Sequence, residues 1–573
     1  MSLSILSIIV LSLTLTYHGS EGSGVAGVST TEQFTNNDVL DAEGNYLLFW
    51  KFNKTHITFE VHVETRGWVG FGLSDNGNMF PADVIVGWVS DDGTTHFADR
   101  HTSGHRMPTR DRSQDWFLLH GAETDYGTVL KFVRKINTCD SEDKPIPKDT
   151  ARLIFAYNDQ DPHSDTSITY HGSTRGTKSV SLLSTSKRPT NFPADVKHYD
   201  FLNENYLMPA DKTTYHCRGF QMPDIGKHHL IKFEPVITPG NELNVHHILL
   251  YRCHGIDPAV SDGVNGNCFI NRPNNLPHCD TVVLAWAIGG EPFYFPENVG
   301  MSVGASDDAT FYIMETHYDN PTQRSGVIDN SGLRLTLTST IRPEEGGMLM
   351  VGQSVTWTQF IPPGETHYVS PGTCRQTCLE EGFKQSNNSG VKVFAALQHA
   401  HLLGREIRTR HFRNGTELDP ILDDRNYDFN FQEMRLLPTE VQLQSGDSLM
   451  VDCIYDSTGR TSTTFGGFST MEEMCLTFLF YYPRIKLSQC TTSSSLSAFG
   501  VKDEATYNQM LPTLQGADWT NQTEAAYYKQ KMAESYTYAN CIGDGYNELP
   551  FMSRYWMAQE PKQPYTYQPQ TCT

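Results

Sequence analysis

The stretch Gln398-His399-Ala400-His401-Leu402-Leu403-Gly404-Arg405-Glu406 is the one around which the rest of the chain is organised. It follows an apolar run, 391–397, that is typical of a buried β-strand. Residues i and i+2 of a strand point to the same face, so His399 and His401 are predicted to present two imidazoles side by side. Two imidazoles on one face form half of a transition-metal coordination shell. A histidine-rich surface edge is the alternative interpretation of this pair taken alone.

Composition limits the class of protein. The chain has 573 residues, of which 38% are hydrophobic and 19% are charged, and its formal net charge is −22. These values are typical of a globular protein, and the length predicts roughly three to four domains. The acidic balance argues against a nucleic-acid partner, because phosphate binding needs a basic surface.

The N-terminus predicts entry into the secretory pathway. Residues 1–23 have the outline of a signal peptide, with an apolar core over 3–16 followed by small and polar residues. The usual basic start is missing, and a retained signal anchor is the alternative. No later segment approaches the roughly 20 apolar residues of a membrane span. We therefore predict a protein that is secreted or lies in the lumen of the secretory pathway.

Cysteines and glycosylation sequons agree with that compartment. The 12 cysteines are an even number, which in a secreted chain predicts six disulfide bonds. A zinc cluster is the alternative for Cys374 and Cys378, which are separated by three residues. Four sequons predict glycosylated surface loops, and they begin at Asn53, Asn387, Asn414 and Asn521.

Short apolar runs separated by turn residues predict an all-β protein. In the region 35–185 they predict a β-sandwich, with strands at 46–50, 56–63, 68–72, 84–88 and 152–157. Two further β-rich segments follow, 200–325 and 326–490. The strands of the second of these are predicted at 333–339, 355–360, 391–403, 448–455 and 475–482. The tail, 491–573, contains short helical pieces such as 523–536, and we expect it to wrap back onto the sandwiches, held by Cys541 and Cys572.

Three more histidines and one methionine extend the opening pair. His246 and His247 are adjacent in a strand-like run, and His317 ends another run. Adjacent histidines on a regular strand point to opposite faces, so both reach one metal only where the strand is twisted or bulged. Buried structural histidines are the alternative. Met474 offers a thioether, which suits Cu(I) and binds zinc poorly, and core packing is its alternative role.

Four stretches carry these residues: Asn244-Val-His-His-Ile-Leu-Leu-Tyr-Arg-Cys253, Met314-Glu-Thr-His-Tyr318, His399-Ala-His-Leu-Leu-Gly-Arg405 and Gly466-Gly-Phe-Ser-Thr-Met-Glu-Glu-Met-Cys475. Together they resemble the copper type II, ascorbate-dependent monooxygenases, and in particular the dopamine β-hydroxylase-like members. The likeness covers nearly all of the mature chain. It implies a DOMON β-sandwich over 35–185, two antiparallel, jelly-roll-like copper domains over 200–325 and 326–490, and a disulfide-tethered tail.

The resemblance implies two copper ions in each chain. The ligands of the electron-transfer copper would be His246, His247 and His317. The ligands of the oxygen-binding copper would be His399, His401 and Met474. The resemblance also places Tyr215 and His399 among the active-site residues, and a structural tyrosine beside a disulfide is the alternative for Tyr215.

A pairing of all the cysteines is likewise implied by the resemblance. The pairs are Cys139–Cys572, Cys217–Cys268, Cys253–Cys279, Cys374–Cys490, Cys378–Cys541 and Cys453–Cys475. Because this pattern uses every cysteine once, we expect no covalent dimer.

Two positions bear on the substrate. Glu315 matches the amine-hydroxylating branch of the family, whereas the peptide-hydroxylating branch has a glutamine there. A carboxylate near the site suits a cationic amine. Phe478 stands where both branches have a tyrosine, so neither known substrate carries over directly.

The implied reaction consumes O2, with ascorbate as the electron donor. Two one-electron donors reduce both coppers, one oxygen atom enters a C–H bond of a small, phenylethylamine-like amine, and the other leaves as water. A secreted copper-binding protein with little or no turnover is one alternative. A zinc hydrolase built on His399 and His401 is another, and Met474 makes it a poor one.

The first sandwich offers two further candidate sites. Some DOMON-like domains bind haem through a methionine and a histidine, for which Met79 and His171 are the candidates, although the dopamine enzyme binds none. The carboxylates of Asp75, Asp83 and Asp99 are candidates for a cation site or for turn residues.

Overall fold

The computed structural model describes residues 28–184, 189, 192–279, 281–304, 310–544 and 565. The predicted signal peptide and Cys572 lie outside these residues. None of the helices in the described part of the chain is long and apolar enough to cross a membrane. The chain divides into two compact units. Among the described residues, the first comprises 28–145 and 153–178, and the second comprises 146–152 and those from 179 to 565.

The first unit is built on a β-sandwich, as the alternating runs predict. Its strands are β1 (Asn36–Val39), β2 (Tyr46–Phe52), β3 (His56–Val63), β4 (Val69–Ser74), β5 (Ala82–Val89), β6 (Thr95–His101), β7 (Thr109–Arg110), β8 (Phe117–Glu123), β9 (Thr128–Lys135), β10 (Ala151–Tyr157) and β11 (Arg175–Val180). The two sheets have the orders β1-β2-β3-β9-β8 and β11-β10-β4-β5-β6-β7. Their facing sides meet at buried aromatic rings, with Phe59 of β3 and Phe71 of β4 at 5.1 Å between centroids.

The candidate residues of this sandwich have several partners. Asp83 is buried, and its carboxylate accepts hydrogen bonds from Trp116 Nε1 at 2.9 Å and from the Arg134 guanidinium at 2.6 Å. Asp99, Asp83 and Asp143 can bring one carboxylate oxygen each within 4.8 Å of one another. Asp75 pairs with Lys144. Met79 and His171 are both half-buried.

The second unit begins with a pair of larger sheets. Its first strands are β12 (Lys197–Leu202), β13 (Tyr206–Met208), β14 (Thr213–Gln221), β15 (His228–Val236), β16 (Val245–Cys253), β17 (Asn265–Asn267), β18 (Thr281–Ala287), β19 (Phe293–Tyr294), β20 (Val299–Val303), β21 (Phe311–Asp319), β22 (Val327–Asp329), β23 (Gly332–Thr338) and β24 (Glu344–Glu345), with a short helix α1 (Pro258–Ser261). The main sheets have the orders β12-β23-β15-β20-β24 and β17-β14-β21-β16-β18.

A second pair of sheets follows in the same unit. Its strands are β25 (Gly347–Gln353), β26 (Phe360–Ile361), β27 (Tyr368–Cys374), β28 (Gly390–His399), β29 (Gly404–Arg413), β30 (Thr416–Glu417), β31 (Leu422–Asp424), β32 (Arg435–Gln444), β33 (Asp447–Tyr455), β34 (Thr464–Phe465), β35 (Leu476–Tyr482), β36 (Leu487–Ser494) and β37 (Thr537–Gly543). The helices are α2 (Gln376–Gln385), α3 (Glu504–Gln515) and α4 (Gln522–Ala533), with a 3₁₀ turn over Ser497–Phe499. The main sheets have the orders β32-β28-β35-β25-β36-β37 and β27-β33-β29-β30.

These sheets confirm the all-β fold class and correct three sequence predictions. The run 333–339 is predicted to belong to the third segment, but β23 pairs with β12 and β15 and so completes the preceding sheet. The run 391–403 is not one strand, because β28 ends at His399 and β29 begins at Gly404. The run 355–360 is largely a turn, with only Phe360 in a strand.

The tail returns to the sheets as expected. Strand β37 pairs with β36 at the edge of the six-stranded sheet, and Cys541 on β37 forms a disulfide with Cys378 on α2. Helix α4 covers most of the predicted helical piece. One aromatic core joins the two pairs of sheets, since the ring of Phe480 lies 5.6 Å from that of Phe293. The candidate ligands are therefore carried by sheets that share a packed core.

Candidate metal centre

His246, His247 and His317 come together because β16 is bulged. The register of β16 against β21 shifts between Val245 and His247, so that His246 is an extra residue and His247 pairs with His317. The bulge meets the condition that two adjacent histidines must satisfy to reach one point. The Nδ1 atom of His247 lies 3.3 Å from that of His246 and 3.2 Å from that of His317.

Burial keeps these three imidazoles neutral. It lowers the pKa of His246 to about 3. The pKa values of His247 and His317 also lie well below the usual range, because of burial and of the neighbouring imidazoles. The hydrogen-bond network assigns the tautomer of His246, whose Nε2 donates to the Phe429 carbonyl at 3.1 Å and leaves the Nδ1 lone pair facing the cluster. Converging neutral imidazole nitrogens are what a transition metal binds.

His399 and His401 form a second pair of neutral imidazoles. Their ring centroids are 5.2 Å apart, and the pair spans the end of β28 and the turn after it rather than one strand. Nδ1 of His399 donates to the side-chain oxygen of Gln432 at 2.7 Å, and Nδ1 of His401 donates to the Glu472 carbonyl at 3.0 Å. Both Nε2 atoms are buried without a hydrogen-bond partner among the described residues, so each is left free to bind a metal.

The carboxylate of Glu473 holds Met474 close to His399 and His401, and the sequence analysis did not identify this residue. Glu473 is fully buried and accepts backbone hydrogen bonds from His401 at 2.8 Å, from Leu403 at 2.6 Å and from Met474 at 3.3 Å. Burial raises its pKa to about 8, against the effect of these N–H donors. Glu473 thus ties the turn that carries His401 to the segment that carries Met474. A glutamate at the start of an apolar strand was the available signal.

The two groups of candidate ligands face each other across the two pairs of sheets. The ring centroids of His247 and His399 are 5.1 Å apart, and those of His317 and His401 are 6.3 Å apart. Five neutral, buried imidazoles and a buried thioether form a donor set that suits copper in both oxidation states. Zinc in a catalytic site takes histidine or carboxylate ligands, and the thioether fits it poorly.

A cavity of about 340 Å³ opens beside these ligands. His247, His399 and Met474 line one end of it, and most of the remaining wall is apolar. Among the described residues that line it, Glu315 is the only carboxylate. A larger cavity of about 440 Å³ shares Gln353 with this one and is lined further by residues such as Glu365 and Lys529, and no candidate ligand lines it.

Glu315 and Phe478 both line the cavity next to the ligands. Glu315 is 5% exposed, and burial raises its pKa to about 7, opposed by the Tyr251 hydroxyl and by Arg272. The Tyr251 hydroxyl donates to Glu315 at 3.4 Å, which is a long hydrogen bond. Phe478 is buried and adds only apolar surface.

Tyr215 lies behind the ligands rather than in the cavity. Its ring stacks on that of His317 with 4.4 Å between centroids and 2° between planes, and the two residues are paired across β14 and β21. Its hydroxyl is buried without a hydrogen-bond partner among the described residues, and burial raises its pKa well above the usual range. This geometry positions the His317 ring.

Disulfide bonds fix the segments around the site. The structure forms five of the expected pairs: Cys217–Cys268, Cys253–Cys279, Cys374–Cys490, Cys378–Cys541 and Cys453–Cys475. The pair Cys139–Cys572 cannot be described because Cys572 lies outside the described residues. Since Cys374 and Cys378 are both in disulfides, the zinc-cluster alternative for them is wrong. The four sequon asparagines Asn53, Asn387, Asn414 and Asn521 are all exposed.

Comparisons with known proteins identify the family of the chain. Family models match as follows: the DOMON domain over residues 42–158, and the N-terminal and C-terminal domains of copper type II ascorbate-dependent monooxygenases over 199–325 and 344–501. DBH-like monooxygenase protein 1 of Gallus gallus is 42% identical over 484 residues, which are 83% of this chain and 78% of that protein. Its Homo sapiens counterpart is 41% identical, covering 84% and 79%. Dopamine beta-hydroxylase of Rattus norvegicus is 35% identical over 459 residues, covering 79% and 73%.

Proposed function

The chain belongs to the copper type II ascorbate-dependent monooxygenases, and on that premise we propose that it hydroxylates a C–H bond of a small, phenylethylamine-like amine. The general reaction is that of the family: an oxidoreductase that uses O2, copper and ascorbate. The observation that supports an amine substrate is Glu315, the single carboxylate among the described residues that line the cavity.

The size of the cavity supports a small substrate. Ligand pockets commonly measure roughly 300–1,000 Å³, and this one measures about 340 Å³, near the lower limit. Its apolar wall, including Leu397, Trp286 and Phe478, suits an aromatic or aliphatic body. An ammonium group beside Glu315 would form a charge-assisted hydrogen bond in a cavity whose wall is mostly apolar.

We propose the following ligand sets for the two copper ions. His246, His247 and His317 hold one ion, and His399, His401 and Met474 hold the other. When bound, the copper ions supply the one-electron redox chemistry and activate O2. The protein's own contribution is to fix the tautomers, through the Phe429 and Glu472 carbonyls and the Gln432 side chain, and to orient the substrate in the cavity.

We also propose that the protein is secreted. Five disulfide bonds among the described residues need an oxidising compartment to form and persist. The four exposed sequons support glycosylation on the secretory route. When the full-length chain is expressed in animal cells, it should appear in the culture medium and lose mass on deglycosylation. Retention in the cytosol would contradict secretion.

The proposed substrate class is tested by oxygen uptake. The copper-loaded chain with ascorbate should consume O2 on addition of phenylethylamines, with one hydroxyl group gained per O2. It should turn over their neutral alcohol counterparts more slowly and glycine-extended peptides not at all. Turnover of the peptides equal to or greater than that of the amines would contradict an amine as the substrate. Uptake with none of these compounds would contradict the proposed substrate class altogether.

A further inference from the structure

The far end of the cavity is built by the tail. Ile542, on β37, lines the cavity together with Gln489 of the neighbouring strand. The ranges that match the copper monooxygenase domains end at 501, so Ile542 comes from a segment outside them.

Five adjacent strands place Ile542 at the opposite end of the sheet from the ligands. The cross-strand pairs connect Leu397 to Phe478, Phe478 to Met350, Met350 to Gln489, and Gln489 to Ile542. All five side chains line the cavity. Leu397 is two residues before His399 on β28, so this row begins beside the ligands. Strands are spaced by roughly 4.8 Å, so Ile542 lies about 19 Å from Leu397 along the row.

Successive side chains of β37 point to opposite faces of the sheet, and contacts on both faces hold Ile542 in this position. Cys541 points to the opposite face of the sheet, where it is buried and bonded to Cys378 of α2. On the cavity side, the Asn540 side chain donates to the hydroxyl of Ser354, another cavity residue, at 2.7 Å. The strand is therefore fixed on both faces.

A partly buried ion cluster fixes the end of the strand. The carboxylate of Asp544 pairs with the guanidinium groups of Arg252 and Arg484. Arg252 lies on β16, the strand that carries His246 and His247, whereas Arg484 follows β35. These cations lower the pKa of Asp544 in spite of its burial. The tail thus contacts both pairs of sheets next to the cavity.

We propose that Ile542 is a specificity-determining residue that sets the length of substrate the cavity accepts. The proposal rests on the proposed function, in that the cavity beside His399 and Met474 must be the substrate site. A substrate with its reacting C–H bond at the ligand end extends along the row, and its far end meets the branched side chain of Ile542. Shortening that side chain lengthens the cavity, and a larger one shortens it.

The test uses phenylethylamines that carry a para-alkyl group from methyl to octyl, so that the longer compounds span most of the row. In Ile542→Ala the ratio of kcat/KM for the octyl compound to that for the unsubstituted amine should rise by about tenfold, since a few methylenes in an apolar pocket are worth at least that. In Ile542→Trp the ratio should fall by a similar factor. Ile421→Ala, a buried isoleucine of the same domain that does not line the cavity, should lower stability and leave the ratio unchanged.

Calorimetric binding of the same series to the full-length chain separates this proposal from the proposed function. If the wild type turns over none of these amines but binds them or the matching para-alkyl phenylethanols, the length dependence of Kd in the two Ile542 variants decides the matter. An unchanged length dependence in both variants, or no binding of either series, would overturn the role of Ile542. Changed length dependence without turnover would overturn the proposed reaction on amines alone.

Discussion

Replacing Glu315 by glutamine removes the charge that is proposed to hold the substrate while keeping the size of the side chain. The carboxylate is 5% exposed, and an ammonium group about 4 Å away would gain roughly 4 kcal/mol at an effective dielectric constant near 20. Desolvation of the ammonium group offsets part of this gain, which leaves a net loss of about 2–3 kcal/mol in Glu315→Gln. Since about 1.4 kcal/mol is tenfold, kcat/KM for an amine should fall by roughly 30- to 150-fold.

The assay is ascorbate-dependent oxygen uptake by the copper-loaded chain at about pH 8, where a carboxyl group with a pKa of about 7 is mostly ionised. A phenylethylamine and its neutral alcohol counterpart are compared side by side. The variant should lose activity on the amine and change by less than about threefold on the alcohol, because the alcohol forms no ion pair. Glu344→Gln, at a half-buried position outside the cavity, is the matched control. An equal loss on both substrates would refute the role of Glu315 in amine binding and indicate damage to the site.

Three further outcomes are expected. Glu473→Ala leaves the backbone N–H groups of the His401 turn without an acceptor. The free energy of unfolding measured in urea should therefore fall by at least about 2 kcal/mol, and the copper content should fall as well. The control Glu472→Ala should keep its copper, because the backbone carbonyl of Glu472 and not its side chain contacts His401. Replacing Cys453 and Cys475 by serine opens a loop of sequence separation 22 and should lower the free energy of unfolding by about 3 kcal/mol in the same measurement. An unchanged free energy of unfolding would refute a stabilising role for this disulfide. Burial raises the pKa of Asp99 to about 8, so the folded chain keeps a proton that the unfolded chain releases above about pH 4. Its contribution to the free energy of unfolding therefore declines as pH rises from about 4 to about 8, and Asp99→Asn should flatten that dependence in denaturation curves at about pH 5 and 8; an unchanged slope would contradict the raised pKa.

The candidate ligands could be found from the sequence because each depends on local chemistry. Two imidazoles separated by one residue, and a methionine at the start of an apolar strand, are visible without a structure. The reason they converge was only partly visible. His246 needs the bulge in β16, and bulges follow from how two distant strands pair rather than from either strand's composition.

The partners that prepare the ligands were not predictable, because they are distant in sequence. Phe429 and Gln432 belong to an irregular segment after β31, and they reach His246 and His399 only through the packing of two pairs of sheets. Ile542 is a stronger case, since its neighbours along the cavity come from four other strands. Long-range pairing of this kind leaves no periodicity in the local sequence.

The boundary that the turn residues predict at 326 does not separate the two pairs of sheets, for a similar reason. The turn-rich stretch before 326 is a real surface feature, yet β23 follows it and pairs back into the preceding sheet. Turn residues mark where a chain reverses, not which sheet the next strand joins. The strand predicted over 391–403 contains a turn at Ala400–Leu403 because Glu473 supplies acceptors for its backbone N–H groups.

The central claim is that two separate groups of side chains each hold one copper ion, and copper content measured together with ligand type tests it most directly. Mass-spectrometric metal analysis of the purified chain should give two copper ions per chain, falling to one in His246→Ala/His247→Ala and to one in His399→Ala/His401→Ala. X-ray absorption of the reduced protein should show a sulfur ligand that is lost in Met474→Ala. A single copper ion in the wild type, copper content unaffected by either pair of substitutions, or a sulfur signal that persists without Met474 would contradict the account.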